Sequence, residues 1–249
     1  MKILAIDSSG MPASAAIAED DRILAEYTVC LKKTHSQTLL PMIDAISGMI
    51  DLDPRTLDAV AVAGGPGSFT GLRIGSATAK GIGLALNKPL DHVPTLEAMA
   101  CNFFGSSRIL CPMMDARRSQ VFAGIYSFSK DRLEVLMDQR PVPVEELAEE
   151  LNKLAAGTGR GLVLLGDGAE VYRTFLEENL TVDYDFAPPN LNAQRASSVA
   201  VRAFQLIREG RLQTAEEHCP DYLRVSQAER VRAEKGTAAG TADSAAPGR

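Results

Sequence analysis

Asp7 and Asp115 are the residues whose type and setting could support chemistry. Each ends a short apolar run, Lys2 to Ile6 and Ile109 to Met114, and each opens a small turn, Asp7-Ser8-Ser9-Gly10 and Asp115-Ala116-Arg117-Arg118. A carboxylate at a strand end, beside hydroxyls and free amides, can hold a metal ion or phosphate groups. The same cluster can equally satisfy its own turn's backbone without any ligand. Both readings stay open at this level. Asp7, Ser8, Ser9 and Asp115 are thus candidates for a nucleotide cleft, expected to be vestigial, since no Walker lysine or base to activate water stands nearby. The loop Gly64-Gly65-Pro66-Gly67 supplies no substitute: G-x-x-x-x-G-K-[ST] is absent, and Thr70 occupies the third-glycine position of G-x-G-x-x-G.

Metal and nucleophile chemistry find less support. His35 has Leu39, not a second histidine, one helical turn on, so it reads as a capping or surface residue. Cys30, Cys101, Cys111 and Cys219 follow no metal or disulfide spacing and read as small apolar fillers in a reducing compartment. No Ser-His or Cys-His nucleophile arrangement is present. The expectation is no catalytic residue, no metal and no cofactor, with weak nucleotide binding left open.

These turns need elements to hold them. Lys2–Ile6, Ala13–Ala18 and Arg22–Val29 read as three strands, then Ser36–Met49 as a helix with Leu39, Ile43, Ile46 and Ile50 on its core stripe. Val60–Ala63 is apolar on both faces, as a strand inside a sheet is. Around Gly105 the pattern restarts: strands at 109–114, 120–128 and 132–137, a helix at 144–154, a buried strand at 161–165 and a helix at 169–178. Two consecutive βββαβα units point to an α/β protein of two RNase H-like lobes, the layout of the actin, hexokinase and Hsp70 ATPase superfamily. The expected boundaries are 1–105 for the first lobe, 106–190 for a smaller second lobe, and 191–226 for a helix and segment returning to the first. The tail 227–249 is expected to be disordered.

With 249 residues, 45% hydrophobic, and a net charge of −6, the chain fits a soluble protein. Its longest basic runs are pairs such as Lys32-Lys33 and Arg117-Arg118, so a protein gripping nucleic acid unaided is excluded. No secretory or membrane-spanning segment is read, and a cytoplasmic location is expected.

One stretch bears on partners. Gly71, Gly75, Ala79 and Gly83 recur every fourth residue along a helix, forming a stripe almost free of side chains. Each glycine costs roughly 1 kcal/mol against alanine in a helix interior, so a close backbone approach is expected to offset it. That approach is either the protein's own sheet or a partner helix. With Met42, Ala45 and Met49 of the preceding helix, these positions are the expected partner interface.

Four segments together are similar to one family: Ile6-Asp7-Ser8-Ser9, His35 to Pro41 (HSQTLLP), Gly64 to Gly75 (GGPGSFTGLRIG) and Pro220-Asp221-Tyr222-Leu223-Arg224. They resemble the TsaB (YeaZ) family, bacterial accessory subunits of tRNA threonylcarbamoyladenosine synthesis, over the chain to about residue 229. The resemblance implies a non-catalytic protein that forms a homodimer through first-lobe helices, or a heterodimer with its paralogue TsaD. TsaD transfers the threonylcarbamoyl group to adenosine 37 of tRNAs reading codons that begin with A. It further implies that the ATPase TsaE joins the assembly and that tRNA is met only through the complex. The paralogue carries a metal-binding His-x-x-x-His pair, and the His35/Leu39 departure favours the accessory role. A small-molecule kinase or ATPase with a site between Asp7 and Asp115 is the alternative. A metallopeptidase is disfavoured by the missing histidine pair.

Overall fold

The computed structural model describes residues 1–20, 22–31 and 33–223; the expected disordered tail at 227–249 lies outside them. Two mixed sheets carry the chain. The first is built from β1 (Lys2–Asp7), β2 (Ala13–Glu19), β3 (Arg22–Val29), β4 (Ala59–Gly65), β5 (Leu90–Pro94) and β11 (Leu212–Gln213), in the spatial order β11-β5-β4-β1-β2-β3. The second contains β6 (Ile109–Arg117), β7 (Gln120–Ser129), β8 (Arg132–Pro143), β9 (Leu162–Leu165) and β10 (Tyr184–Phe186), in the order β10-β9-β6-β7-β8.

Setting the two-residue β11 aside, the orders coincide. In each sheet the first strand pairs antiparallel with the second and parallel with the fourth. These are two RNase H-like lobes. Alternation sorts the first sheet's side chains. Ile3, Ala5, Ala61 and Ala63 face α7 (Ala196–Arg208), while Leu4, Ile6, Val60 and Val62 face α1 (His35–Met49) and α2 (Phe69–Leu86). β4 is buried along all seven residues, as its two apolar faces require. The second sheet packs Ile109, Cys111 and Val121 with Leu147 and Leu151 of α4 (Val144–Thr158). Its other face packs Leu110, Met114 and Tyr126 against Leu96 and Met99 of α3 (Thr95–Ala100), which joins the lobes.

Several expected elements differ in extent. The single helix at 169–178 is broken at Tyr172 into α5 (Asp167–Val171) and α6 (Arg173–Asn179). β8 runs on to Pro143, because as the edge strand it stays paired with β7 as far as Gln120 and needs no regular alternation. No helix among the described residues is long and apolar enough to cross a membrane.

Candidate functional site

The first aspartate turn is closed by its own chain. Asp7 is 1% exposed, and its Oδ1 accepts hydrogen bonds from the Ser9 backbone N–H at 2.9 Å and the Ser9 hydroxyl at 2.7 Å. Its Oδ2 has no partner, and burial pushes the carboxyl up to about 6, against the pull of the Ser9 hydrogen bonds. Ser8 Oγ donates to the Gly71 carbonyl at 2.9 Å, and the Ser68 N–H donates to the Ser9 carbonyl at 2.6 Å. The start of α2 therefore lies directly on the turn, where a Cβ on Gly67 or Gly71 would run into Ser9 or Ser8. The far side is occupied as well. His35 Nε2 sits 3.0 Å from the Gly10 carbonyl, and the Gln194 amide lies within 2.8 Å of where a Gly10 Cβ would stand. His35 thus braces the turn at the first residue of α1, where the sequence suggested a cap or a surface position.

Asp115 repeats the device in the second lobe. Its Oδ1 accepts from the Arg117 N–H at 2.8 Å and from the Tyr172 hydroxyl at 3.3 Å. In both lobes the strand-end carboxylate satisfies an amide two residues on, which is the ligand-free use of an Asp turn. Cys101 and Cys111 are buried in surroundings that push their thiols upward, Cys101 to about 12, so neither is a ready nucleophile.

The Gly64–Gly67 loop is the meeting point of four segments. The Gly65 N–H donates to Thr95 Oγ1 at 3.1 Å, and Gln139 Nε2 of β8 donates to the Gly65 carbonyl at 2.9 Å across the lobes. The Asp221 N–H donates to the Gly64 carbonyl at 2.7 Å, and His92 Nε2 lies 3.1 Å from Asp221 Oδ2. Tyr222 stacks on Phe69 at 4.8 Å between centroids and accepts from Arg73 Nε at 3.3 Å. Gly64 has no room for a Cβ under the His92 ring, and Gly65 sits at φ +129° beneath the Asp221 carbonyl. Composition and spacing did not single out Gln139, His92 or Asp221 for this loop. The Pro220-Asp221-Tyr222-Leu223-Arg224 segment was visible as a motif, but nothing in it says which loop it covers.

The glycine stripe is corrected by the structure. Gly71, Gly75, Ala79 and Gly83 are all buried against the chain's own first lobe. A Cβ at Gly71 or Gly75 would meet Ser8, and one at Gly83 would meet Leu90. The close approach that offsets the glycines is the sheet and the Asp7 turn, so a partner's side chains cannot reach the stripe. Met42 is likewise core, at 3% exposed, whereas Ala45 is half-buried and Met49 is 80% exposed. The outward surface of α1 and α2 carries Leu40, Met49 and Leu84, beside a groove of about 410 Å³ lined by Leu40, Ile43, Ser47, Ile82 and Leu86.

Comparison with known proteins adds independent findings. A family model described as TsaD, tRNA N6-adenosine threonylcarbamoyltransferase, matches residues 23–231. The tRNA threonylcarbamoyladenosine biosynthesis protein TsaB of Bacillus subtilis (strain 168) is 31% identical over 229 residues, covering 92% of this chain and 96% of the relative. The protein of the same name from Escherichia coli (strain K12) is 29% identical over 227 residues, covering 90% and 95%. Among solved structures, YeaZ from Pseudomonas aeruginosa superposes with a TM-score of 0.75 at 23% identity, covering 89% of this chain and 99% of that one, a likeness of fold.

Proposed function

The chain belongs to the TsaB (YeaZ) family of tRNA threonylcarbamoyladenosine biosynthesis proteins, and from that premise we propose that it is a non-catalytic subunit of the modifying complex. In this reading it docks on the catalytic paralogue TsaD, helps to recruit the ATPase TsaE, and meets tRNA only within the assembly. The observation that carries the non-catalytic assignment is the closed Asp7 turn. Oδ1 of its carboxylate is committed to Ser9, Oδ2 is buried, and the start of α2, His35 and Gln194 stand around the turn. A kinase or ATPase would need that turn free to receive phosphates and a metal ion.

A second observation supports the accessory over the transferase role. One helical turn after His35 stands Leu39, 1% exposed in the first lobe's core, where a metal-binding pair would need a second imidazole.

The docking surface proposed for the paralogue is the outer face of α1 and α2, with Leu40, Met49 and Leu84 as its apolar anchors and Ala45 at its edge. The same face would serve a homodimer, so the two assemblies compete. Gel filtration of the chain mixed with TsaD tests this. The expected result is a heterodimer for the wild type and its loss for the Met49→Asp, Leu84→Asp double variant, with the variant still folded. Normal association of that double variant would place the interface elsewhere. Tight Mg-ATP binding by the chain alone, lost in Asp7→Ala, would instead favour a kinase or ATPase.

A further inference from the structure

The hairpin joining β6 to β7 carries side chains that neither the fold nor the proposed docking face uses. Arg117 pairs with Gln120 across a two-residue turn, Arg118-Ser119, whose φ values are +59° and +55°. This is the primed turn that suits a tight hairpin, but its usual occupants are Asn-Gly or Asp-Gly, because both positions are left-handed. Arg117 itself sits at φ +61°, where the register between β6 and β7 shifts, and such a bulge re-aims a side chain. Three consecutive non-glycine residues thus hold a conformation that none of them favours.

The arginines are also unclaimed. Both are exposed, and neither guanidinium has a hydrogen-bond or ion-pair partner among the described residues. Arg108, Arg140, Arg195 and Arg202 all pair with carboxylates. Of the acids close to the hairpin, two are engaged by other groups, while Glu145, next to the Val144 N–H that donates to the Ser119 carbonyl, is exposed. Asp115 binds the Arg117 amide and Tyr172, and Asp167 is held by backbone amides of Asp115 and Gly168. The hairpin lies at the carboxyl ends of the parallel strands β6 and β9, the edge of an α/β sheet where ligands are received.

We propose that Arg117 and Arg118 contact the phosphodiester backbone of the tRNA substrate when this chain stands in the modifying complex. The inference rests on the reading given under Proposed function. A small nucleotide is held in a concave pocket, whereas two exposed arginines at the end of a hairpin suit an extended polyanion. In a chain of net charge −6, the two arginines make a local positive patch of the sign that a phosphodiester backbone attracts.

The test uses the complex of the full chain with TsaD and an unmodified tRNA that reads a codon beginning with A. The variant combines Arg117→Gln, Arg118→Asn and Ser119→Gly, which removes both charges and gives the turn residues it prefers. Its melting temperature should hold or rise, and gel filtration should show the complex intact. Its affinity for tRNA should fall several-fold, and the slope of log K against log salt should become shallower by about 2, roughly 1 per lost phosphate contact. Arg132→Gln, at the opposite end of β7, should leave the slope unchanged. An intact variant complex with wild-type affinity and slope overturns the proposal. So does a variant that no longer binds TsaD, which would place the hairpin against protein. Failure of the wild-type chain to bind TsaD would show in gel filtration alone and would overturn the underlying reading together with this one.

Discussion

Gly71 and Gly81 stand in the same helix, with opposite consequences for a methyl group. At Gly71 an added Cβ runs into the Ser8 carbonyl, a backbone atom that cannot turn aside; at Gly81 nothing lies within 4 Å. Gly71→Ala should therefore destabilise the protein by about 1–3 kcal/mol, the usual scale of overpacking. Gly81→Ala should stabilise it by about 0.5–1 kcal/mol through helix propensity. Thermal melting of the two variants checks both signs. Gly75→Leu belongs with Gly71 and is expected to lose stability, since its side chain would run into Ser8. Asp91 offers a second test at this scale. It is fully buried with neither carboxylate oxygen hydrogen-bonded, and burial raises it from 3.8 to about 7. A carboxyl raised on folding contributes stability that is whole below its unfolded value and lost as pH climbs through the folded one. Relative to Asp91→Asn, the wild type should weaken by a few kcal/mol between pH 4 and pH 8, at about 1.4 kcal/mol per pH unit. Equal pH dependence in the two proteins would show that Asp91 gains an ion partner in solution.

Among the elements, the segment from β11 to Leu223 is a strap across the first lobe. Lys80 Nζ donates to the His218 carbonyl at 2.8 Å, and His218 is buried with Nδ1 at 2.9 Å from Gln213 and Nε2 unpartnered. Burial, with His92 and Lys80 nearby, lowers His218 to about 4. A base lowered on folding contributes stability that is present above its unfolded value, near 6.5, and is lost as pH falls toward the folded one. The Asp221 amide bonded to Gly64 should lose hydrogen-exchange protection between pH 6.5 and pH 4, after correction for intrinsic exchange. In His218→Gln that loss should be smaller. The strap also marks where the sequence stopped being legible. The duplicated βββαβα pattern was readable because hydrophobic period and turn residues recur in both halves, and the core strand β4 announced itself by being apolar on both faces. The strap has almost no periodicity, β11 is two residues long, and its contacts join residues more than a hundred positions apart. The glycine stripe was legible as a close approach, but small residues look alike whether a sheet or a foreign helix lies against them. Its true neighbour, the Ser8 turn, is set by tertiary folding.

For the whole molecule, the question is how two lobes built on one plan act as one body. Gln139 of the second lobe reaches the Gly64–Gly67 loop of the first, and Gln205 of α7 donates to the Asp131 carbonyl between β7 and β8 at 2.9 Å. Arg202 of α7, 6% exposed, seats that helix on α3 by donating from Nε to Glu97 Oε2 at 2.6 Å. Removing one partner of a buried ion pair leaves the other uncompensated, at about 3–5 kcal/mol. Arg202→Ala should lower the melting temperature by roughly 10 °C, at about 2–4 °C per kcal/mol for a chain of this size. A change of a degree or two would mean that the seat of α7 on α3 does not depend on this pair. The boundaries 1–105, 106–190 and 191–226 are proposed units on the same grounds, since α7 follows the second lobe in sequence and packs on the first lobe's sheet.

The claim at the centre of this account is that the chain enables a reaction it does not perform. The most direct measurement is a titration of the chain into a fixed, limiting amount of TsaD, with TsaE, ATP, threonylcarbamoyl-adenylate and unmodified tRNA present, reading threonylcarbamoyladenosine formed. The yield should be near background without the chain, rise with its addition and saturate once TsaD is fully bound. Asp7→Asn should follow the same curve. Product formed at full rate without the chain, or formed by the chain when TsaD is left out, would contradict the assignment.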